Sequence, residues 1–205
     1  MTDHATFWNK IADRYAARPV DFPDAYAATL DRVRHHLRDS DTVLELGAGT
    51  GSTAIALAPH VASYTATDIS ARMLEIARGK PEAAALSTLS FLQADGHSAP
   101  EGPFDAVLAF NLLHLVPDLP ATLAEIHHRL PTGGLLIAKT PCLANLGLWL
   151  RVLIPVLRLF GRVPPVRFLS RDATAREIEA AGFEILERAD YPASRAAHFI
   201  VARAR

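Results

Sequence analysis

Apolar runs of strand length alternate along most of this chain with segments whose apolar residues recur at helical spacing. The runs over 42–46, 62–67, 88–92, 104–110, 133–140, 182–188 and 197–203 predict strands. The spacing near 51–58, 70–79, 119–130 and 172–181 predicts helices. Ser70 and Asp172 stand where helix N-caps belong, and Gly182 where a helix stops. Alternation of this kind points to an α/β protein with a mostly parallel sheet and helices on both faces. Two segments fall outside it. Residues 5–37 form a leading helical section with Phe7, Trp8, Tyr15, Phe22 and Tyr26, and residues 143–168 lie between the fifth and sixth strands, where a plain doubly wound sheet has only a helix. No internal repeat, low-complexity tract or linker divides the chain.

The first strand carries the most information. Val43 to Leu46 is apolar enough for a buried parallel strand and ends in Gly47, Gly49 and Gly51, after which Ile55, Ala56 and Ala58 follow at helical spacing. Glycines let the backbone turn sharply and approach a ligand closely, and the helix N-terminus offers free N–H groups to an anionic end. The dinucleotide pattern G-x-G-x-x-G/A asks for a small third residue, and counting from Gly47 puts Ser52 there. What stands here is Glu45-x-Gly47-x-Gly49-x-Gly51. This strongly resembles the first motif of the class I S-adenosylmethionine-dependent methyltransferases.

The resemblance covers about residues 40–140 with specific motifs and 170–205 by pattern. It implies a single Rossmann-like, doubly wound, seven-stranded sheet, mostly parallel with the last strand antiparallel. The whole of 1–205 is then one methyltransferase domain, with an N-terminal helical cap over 1–40 and an apolar insert or lid over 143–170. S-adenosyl-L-methionine is the implied cofactor. The loop residues Glu45, Gly47, Ala48, Gly49 and Gly51 would bind it.

Asp68 ends the second strand, 21 residues after Gly47, with Ile69 beside it. A carboxylate at that distance accepts hydrogen bonds from both ribose hydroxyls of an adenosine; the competing reading is an N-cap for the helix starting near Ser70. In the family an acid at the position of Asp95 accepts from the adenine amino group, and the next residue, here Gly96, donates its backbone N–H to the ring. From local sequence alone Asp95-Gly96 is also a turn pair. Phe104-Asp105-Ala106-Val107 resembles the family's F-D-x-V strand, which would bring Asn111 into the site. Gly133-Gly134 resembles its P-G-G turn, a structural feature. Tyr15 sits in a segment resembling the leading helix of small-molecule methyltransferases, which closes over the cofactor. Trp8, Ile11, Ala12 and Tyr15 equally suit an amphipathic face packed on the core.

Methyl transfer from a sulfonium is an in-line displacement with a good leaving group, so orientation supplies most of the catalysis, about 7–11 kcal/mol. A general base is needed only if the acceptor arrives protonated. His114, just past the fourth strand, is the candidate, because imidazole titrates near the operating pH; its other reading is a strand-end cap on the backbone. Trp8, Lys139, Asn145 and Trp149 are candidate substrate contacts. His35-His36 and His127-His128 read as solvated helix faces, since adjacent helical residues do not face one ligand, and no metal is expected.

Residues 143–168 are very apolar, interrupted by Arg151, Pro155 and Arg158. The two arginines share a helix face if Pro155 only kinks the helix. Three readings compete: a lid or pocket wall, a surface in peripheral contact with membrane, and a dimer interface. The first is preferred and implies a lipophilic acceptor such as a quinone precursor or lipid. Arg167 and Arg171 pair with an acidic substrate group or are solvated.

Composition narrows the rest. A formal net charge of −1 over 205 residues argues against a nucleic-acid binder working by phosphate neutralisation. The single Cys142 excludes an intrachain disulfide and suggests a reducing, cytoplasmic setting. No signal peptide and no membrane span are expected. Two rivals to a methyltransferase of small molecules stand beside it: a cofactor-binding protein without turnover that acts through partners, and a nicotinamide oxidoreductase, against which Ser52 and the lack of a Tyr-x-x-x-Lys pair count.

Overall fold

A computed structural model describes residues 3–20, 22–145, 147, 149–159, 163–190 and 197–205. Seven strands form one sheet: β1 (Thr42–Leu46), β2 (Ser63–Asp68), β3 (Leu89–Gln93), β4 (Ala106–Phe110), β5 (Leu135–Pro141), β6 (Phe183–Asp190) and β7 (Ala197–Ala204). Their order is β3-β2-β1-β4-β5-β7-β6. The first five run parallel, and β7 pairs antiparallel with both β5 and β6. Chain direction through the sheet reverses between β1 and β4, and ligands of open α/β sheets lie at such a switch, outside the carboxyl ends of the strands.

Successive strand residues point to opposite faces, and each face has its own core. Leu44, Leu46, Val107, Leu136 and Ile200 pack with Leu119, Leu123 and Ile126 of α6 (Leu119–His128) and Ile178 of α8 (Arg171–Ala180). Val43, Ala66, Leu108, Ile137 and Phe199 pack with Leu30 and Val33 of α2 (Pro23–His36) and Ala54 and Leu57 of α3 (Ser52–Leu57). Burial of each Val, Leu, Ile or Phe among them is worth about 1.5–3 kcal/mol, which keeps the strand ends rigid where they meet the site.

The leading section divides into α1 (Asp3–Ala16) and α2, with Phe22 in a left-handed conformation (φ 56°) before Pro23. Two assignments from sequence are corrected at the last helix and the histidine pairs. Ser170, not Asp172, caps α8, its Oγ accepting from Ala173 N at 3.1 Å, because the helix starts one residue earlier than its apolar spacing suggests. Asp172 sits in the first turn and pairs with Arg188. The histidine pairs are not wholly solvated: His36 Nε2 lies 2.9 Å from Glu187 Oε2, and His127 packs edge-on against Phe183. Gly182 ends α8 as expected, with φ +94° and its N–H donated to Glu179 O.

Between β5 and α8, a short 3-10 turn (Leu143–Asn145) leads to α7 (Leu150–Leu159), which keeps Pro155 inside it. Arg151 and Arg158 are both in this helix, though their side chains, like Leu146, Leu148 and Phe160, lie outside what is described. Among the described residues no helix is long and apolar enough to cross a membrane, and no group of three metal-binding side chains occurs. The remaining helices are α4 (Ala71–Arg78) and α5 (Pro81–Ala84).

Candidate functional site

A cavity of about 1040 Å³ opens at the carboxyl ends of β1, β2 and β4. The turn after β1 forms its floor. Gly47, Gly49 and Gly51 all have positive φ (+72°, +56° and +74°), which a side chain would resist. The three differ in what surrounds them. A Cβ on Gly49 would meet nothing within 4 Å, whereas one on Gly51 would stand 2.9 Å from Ala77 Cβ and Phe91 Cε1. Gly51 therefore serves the close packing of the loop against α4 and β3, while Gly47 and Gly49 line the cavity.

Asp68 faces the loop from the end of β2. Its Oδ2 accepts from Gly49 N and its Oδ1 from Ser70 N, each at 2.8 Å. Burial pushes its carboxyl up, and the N–H groups of Ser70 and Gly49 pull the other way. The cap of α4 is Ser70 itself, whose Oγ accepts from Met73 N, so Asp68 steadies the cap and does not replace it. Glu45 is 2 % exposed under the loop and accepts from Tyr64 Oη at 2.9 Å; burial pushes it up to about 7.

Asp95 and Gly96 line the far side with Ile69. Asp95 Oδ1 accepts from His97 N, Ser98 N and Ser98 Oγ at 2.8–3.0 Å, and these donors, Ser98 N–H foremost, hold its carboxyl below the usual range. The turn reading of Asp95-Gly96 is thus realised, and among the described residues Oδ2 has no protein donor. Asn111, in a left-handed conformation (φ 53°), ends β4 at the cavity wall.

Trp8 and Tyr15, one edge-on to the other at 6.2 Å, line this cavity and a second one of about 380 Å³ next to it. Asn9 between them fixes α1 to α4: its Oδ1 accepts from Ser70 Oγ at 2.7 Å and Arg72 N at 3.1 Å. No pattern in the sequence singled out Asn9. Lys139 lines the large cavity, with Nζ 2.7 Å from Thr29 Oγ1, and burial lowers its pKa.

The second cavity is walled by Leu115, Pro141, Leu143, Ile154, Val163, Pro164 and Val166 and contains His114. His114 Nδ1 is 3.2 Å from Thr140 Oγ1, and burial pushes the ring down to about 4. The structure therefore separates the candidates by chamber. His114 belongs to the small apolar one, Trp8, Tyr15 and Asn111 border both, and the loop, Asp68 and Asp95 belong to the large one.

Trp149 does not join them: it is 63 % exposed and lines neither cavity, because α7 turns Ile154 inward and leaves Trp149 outside. Asn145 lies in the 3-10 turn, and its side chain is outside the described residues. Arg167 does not face the cavities; it donates to Pro117 O, while Arg171 pairs with Asp190.

Residues 16–188 match a family model described as a methyltransferase domain. Over 172 residues the chain is 30% identical to the highly reducing polyketide synthase lcsB of Purpureocillium lilacinum, which covers 76% of this chain and 7% of the synthase. The chain thus spans a small fraction of that relative's length. Among solved structures it superposes on magnesium protoporphyrin IX methyltransferase (ChlM) from Synechocystis PCC 6803 with a TM-score of 0.76 and 20% identity, covering 98% of each chain. A geranyl diphosphate methyltransferase aligns with a TM-score of 0.70 and 15% identity over 87% of this chain and 78% of its own. At these identities the two structures establish the fold.

Proposed function

The chain belongs to the methyltransferase-domain family, and on that premise we propose that it carries a methyl group from S-adenosyl-L-methionine to a small, lipophilic molecule. The cofactor half of this reading rests above all on the Asp68 carboxylate, fixed beside the glycine turn by two backbone N–H groups. Its remaining lone pairs suit the two hydroxyls of a ribose. Gly49 supports the same fit, since any side chain there would project into the cavity. Among the structural neighbours, the Synechocystis enzyme is described with bound SAH.

When bound, S-adenosylmethionine supplies an electrophilic methyl group on a sulfonium. The chain's own contribution is placement, worth about 7–11 kcal/mol for well-oriented reactants. Asp68 would hold the ribose, Asp95 and Gly96 the adenine edge, and the turn from Gly47 to Gly49, with Glu45 and Ala48, the methionine end. Trp8, Tyr15 and Asn111 line both cavities, at the junction where cofactor and acceptor would meet. Lys139 stands at the acceptor's side of the large chamber. A neutral His114, tied at Nδ1 to Thr140, has Nε2 left to take a proton from the acceptor.

The second cavity supports a lipophilic acceptor: seven apolar residues line it, and Ile154 comes from the apolar segment. Trp149, Leu153 and Val156 are exposed on the same segment, which supports approach of the acceptor from a membrane surface. The buried Cys142 suits a cytoplasmic setting.

Calorimetric titration with S-adenosylmethionine, S-adenosylhomocysteine and NADH in parallel tests the reading. Micromolar binding of the first two, lost in Asp68→Ala, is expected, and would justify a screen of apolar acceptors. Binding of NADH alone would overturn it.

A further inference from the structure

The guanidinium of Arg129, just beyond the end of α6, is the largest fully buried side chain of the protein's described residues, 1 % exposed. It lines neither cavity. Arginine has five N–H bonds in a rigid fork, and here all five have acceptors. Nε donates to Pro100 O (3.1 Å), and Nη2 to His97 O (3.1 Å) and Ala99 O (3.2 Å). Nη1 donates to Glu125 O (2.8 Å) and Glu125 Oε2 (2.6 Å). Three of the five bonds therefore end on consecutive stretches of one loop, the one that leaves β3 through Asp95 and Gly96.

The backbone of Arg129 holds the far end of that loop. Its carbonyl accepts from Phe104 N at 2.8 Å. The approach is so close that a Cβ on Gly102 would stand 2.3 Å from Arg129 O. The loop is thus wound around Arg129, while its cavity side is closed by the Asp95–Ser98 turn, with Ala99 N returning to Asp95 O at 3.0 Å.

We propose that Arg129 is a positioning residue for recognition of the cofactor's base: by gripping the carbonyls of His97, Ala99 and Pro100 it fixes the turn that aims Asp95 into the cavity. The proposal rests on the reading that the adenine stands at Asp95 and Gly96. A carboxylate there accepts from an exocyclic amino group and repels a carbonyl oxygen in its place. Arg129 acts on that choice from behind, without touching the ligand. A lysine in its place offers three donors for five acceptors and would restore the grip only in part.

The test compares affinity for S-adenosylhomocysteine with that for S-inosylhomocysteine, in which an oxo group replaces the adenine amino group. The wild type should prefer the first by roughly 10-fold or more, the worth of one hydrogen bond to a charged group. Arg129→Met should lose most of this ratio, and Arg129→Lys part of it. Gly102→Ala, which displaces Arg129 by its backbone and lies outside both cavities, should lower the ratio even if Arg129→Met does not fold. Loss of stability alone would weaken both ligands alike and leave the ratio intact. A folded Arg129→Met or Gly102→Ala protein with the wild-type ratio overturns the proposal. An Asp95→Asn protein with the wild-type ratio overturns the adenine placement beneath it. Collapse of the ratio in Asp95→Asn but not at Arg129 or Gly102 rejects the role of Arg129 alone.

Discussion

Asn9 Oδ1 accepts a hydrogen bond from the Ser70 hydroxyl at 2.7 Å, and Ser70 in turn donates its backbone N–H to Asp68 Oδ1 at 2.8 Å. The helix that lines the cavity with Trp8 and Tyr15 is therefore fastened to the same serine that orients the candidate ribose carboxylate. Asn9→Ala removes the acceptor for both Ser70 Oγ and Arg72 N. At about 1 kcal/mol for a net hydrogen bond, it should weaken S-adenosylhomocysteine binding about 5-fold or more, mostly through faster dissociation. Stopped-flow displacement measures this, and an unchanged dissociation rate would show that α1 does not hold the ligand.

Asp68→Ala should cost about 1.5–3 kcal/mol of cofactor affinity, the worth of hydrogen bonds to a charged group. Part of any loss arises because Gly49 N and Ser70 N also lose their acceptor. Asp68→Asn separates the two effects: its amide oxygen can satisfy one of these N–H groups while the charge is gone. Titration of both variants with S-adenosylhomocysteine should rank wild type above Asn above Ala.

The two glycines that flank Thr50 should fail in different ways. Gly49→Ala places a methyl group in the cavity and should abolish cofactor binding while the melting temperature moves little beyond the cost of a positive φ. In Gly51→Ala the methyl meets Ala77 and Phe91 at 2.9 Å, so the protein should lose about 1–3 kcal/mol of stability from overpacking. Thermal melts and binding measured on both proteins check this division. Equal stability of the two would contradict it.

Glu45 predicts how stability follows pH. Its carboxyl is raised to about 7 by burial, against an ordinary value near 4.5. Between those values the folded protein holds a proton that the unfolded chain has released, so stability falls as pH rises from about 4.5 to 7 and is level above. The size is on the order of 3 kcal/mol. Glu45→Gln keeps an acceptor for Tyr64 and removes the proton. Denaturant melts at pH 5 and pH 7.5 should therefore show a larger drop for wild type than for the variant.

The strands were legible in the sequence to within a residue or two because buried parallel strands are continuous apolar runs. The fourth begins late, at Ala106, since Phe104 N turns away to Arg129 O. That the glycine turn, Asp68 and Asp95 meet at one cavity was legible because tight turns at strand ends need particular residues at fixed spacing. Asn9 and Arg129 left no such trace: the partners that matter lie far off in sequence, 61 residues away for Asn9 and Ser70 and 32 for Arg129 and His97, and an Asn or Arg inside or beside a helix looks like a solvated one. The exposure of Trp149 was not legible for a related reason. Apolar content says that a segment buries something, but not which of its side chains turn inward.

His114 and Ile154 face the same small cavity, one polar and one apolar, and their variants separate chemistry from acceptor binding. His114→Asn should leave S-adenosylhomocysteine affinity unchanged and lower turnover on an acceptor that must lose a proton by about 100-fold, the lower end for general-base catalysis. Because burial holds the ring down to about 4, His114 is neutral and able to accept a proton above about pH 5. Turnover that depends on it should be level from pH 6 to 8 and fall only as the ring charges below about pH 5. Ile154→Trp fills the apolar chamber from α7, and should raise KM for bulky acceptors while sparing cofactor binding and the pH profile. Full turnover by His114→Asn would dismiss the base, and an Ile154→Trp protein with wild-type KM for every acceptor would place the acceptor elsewhere.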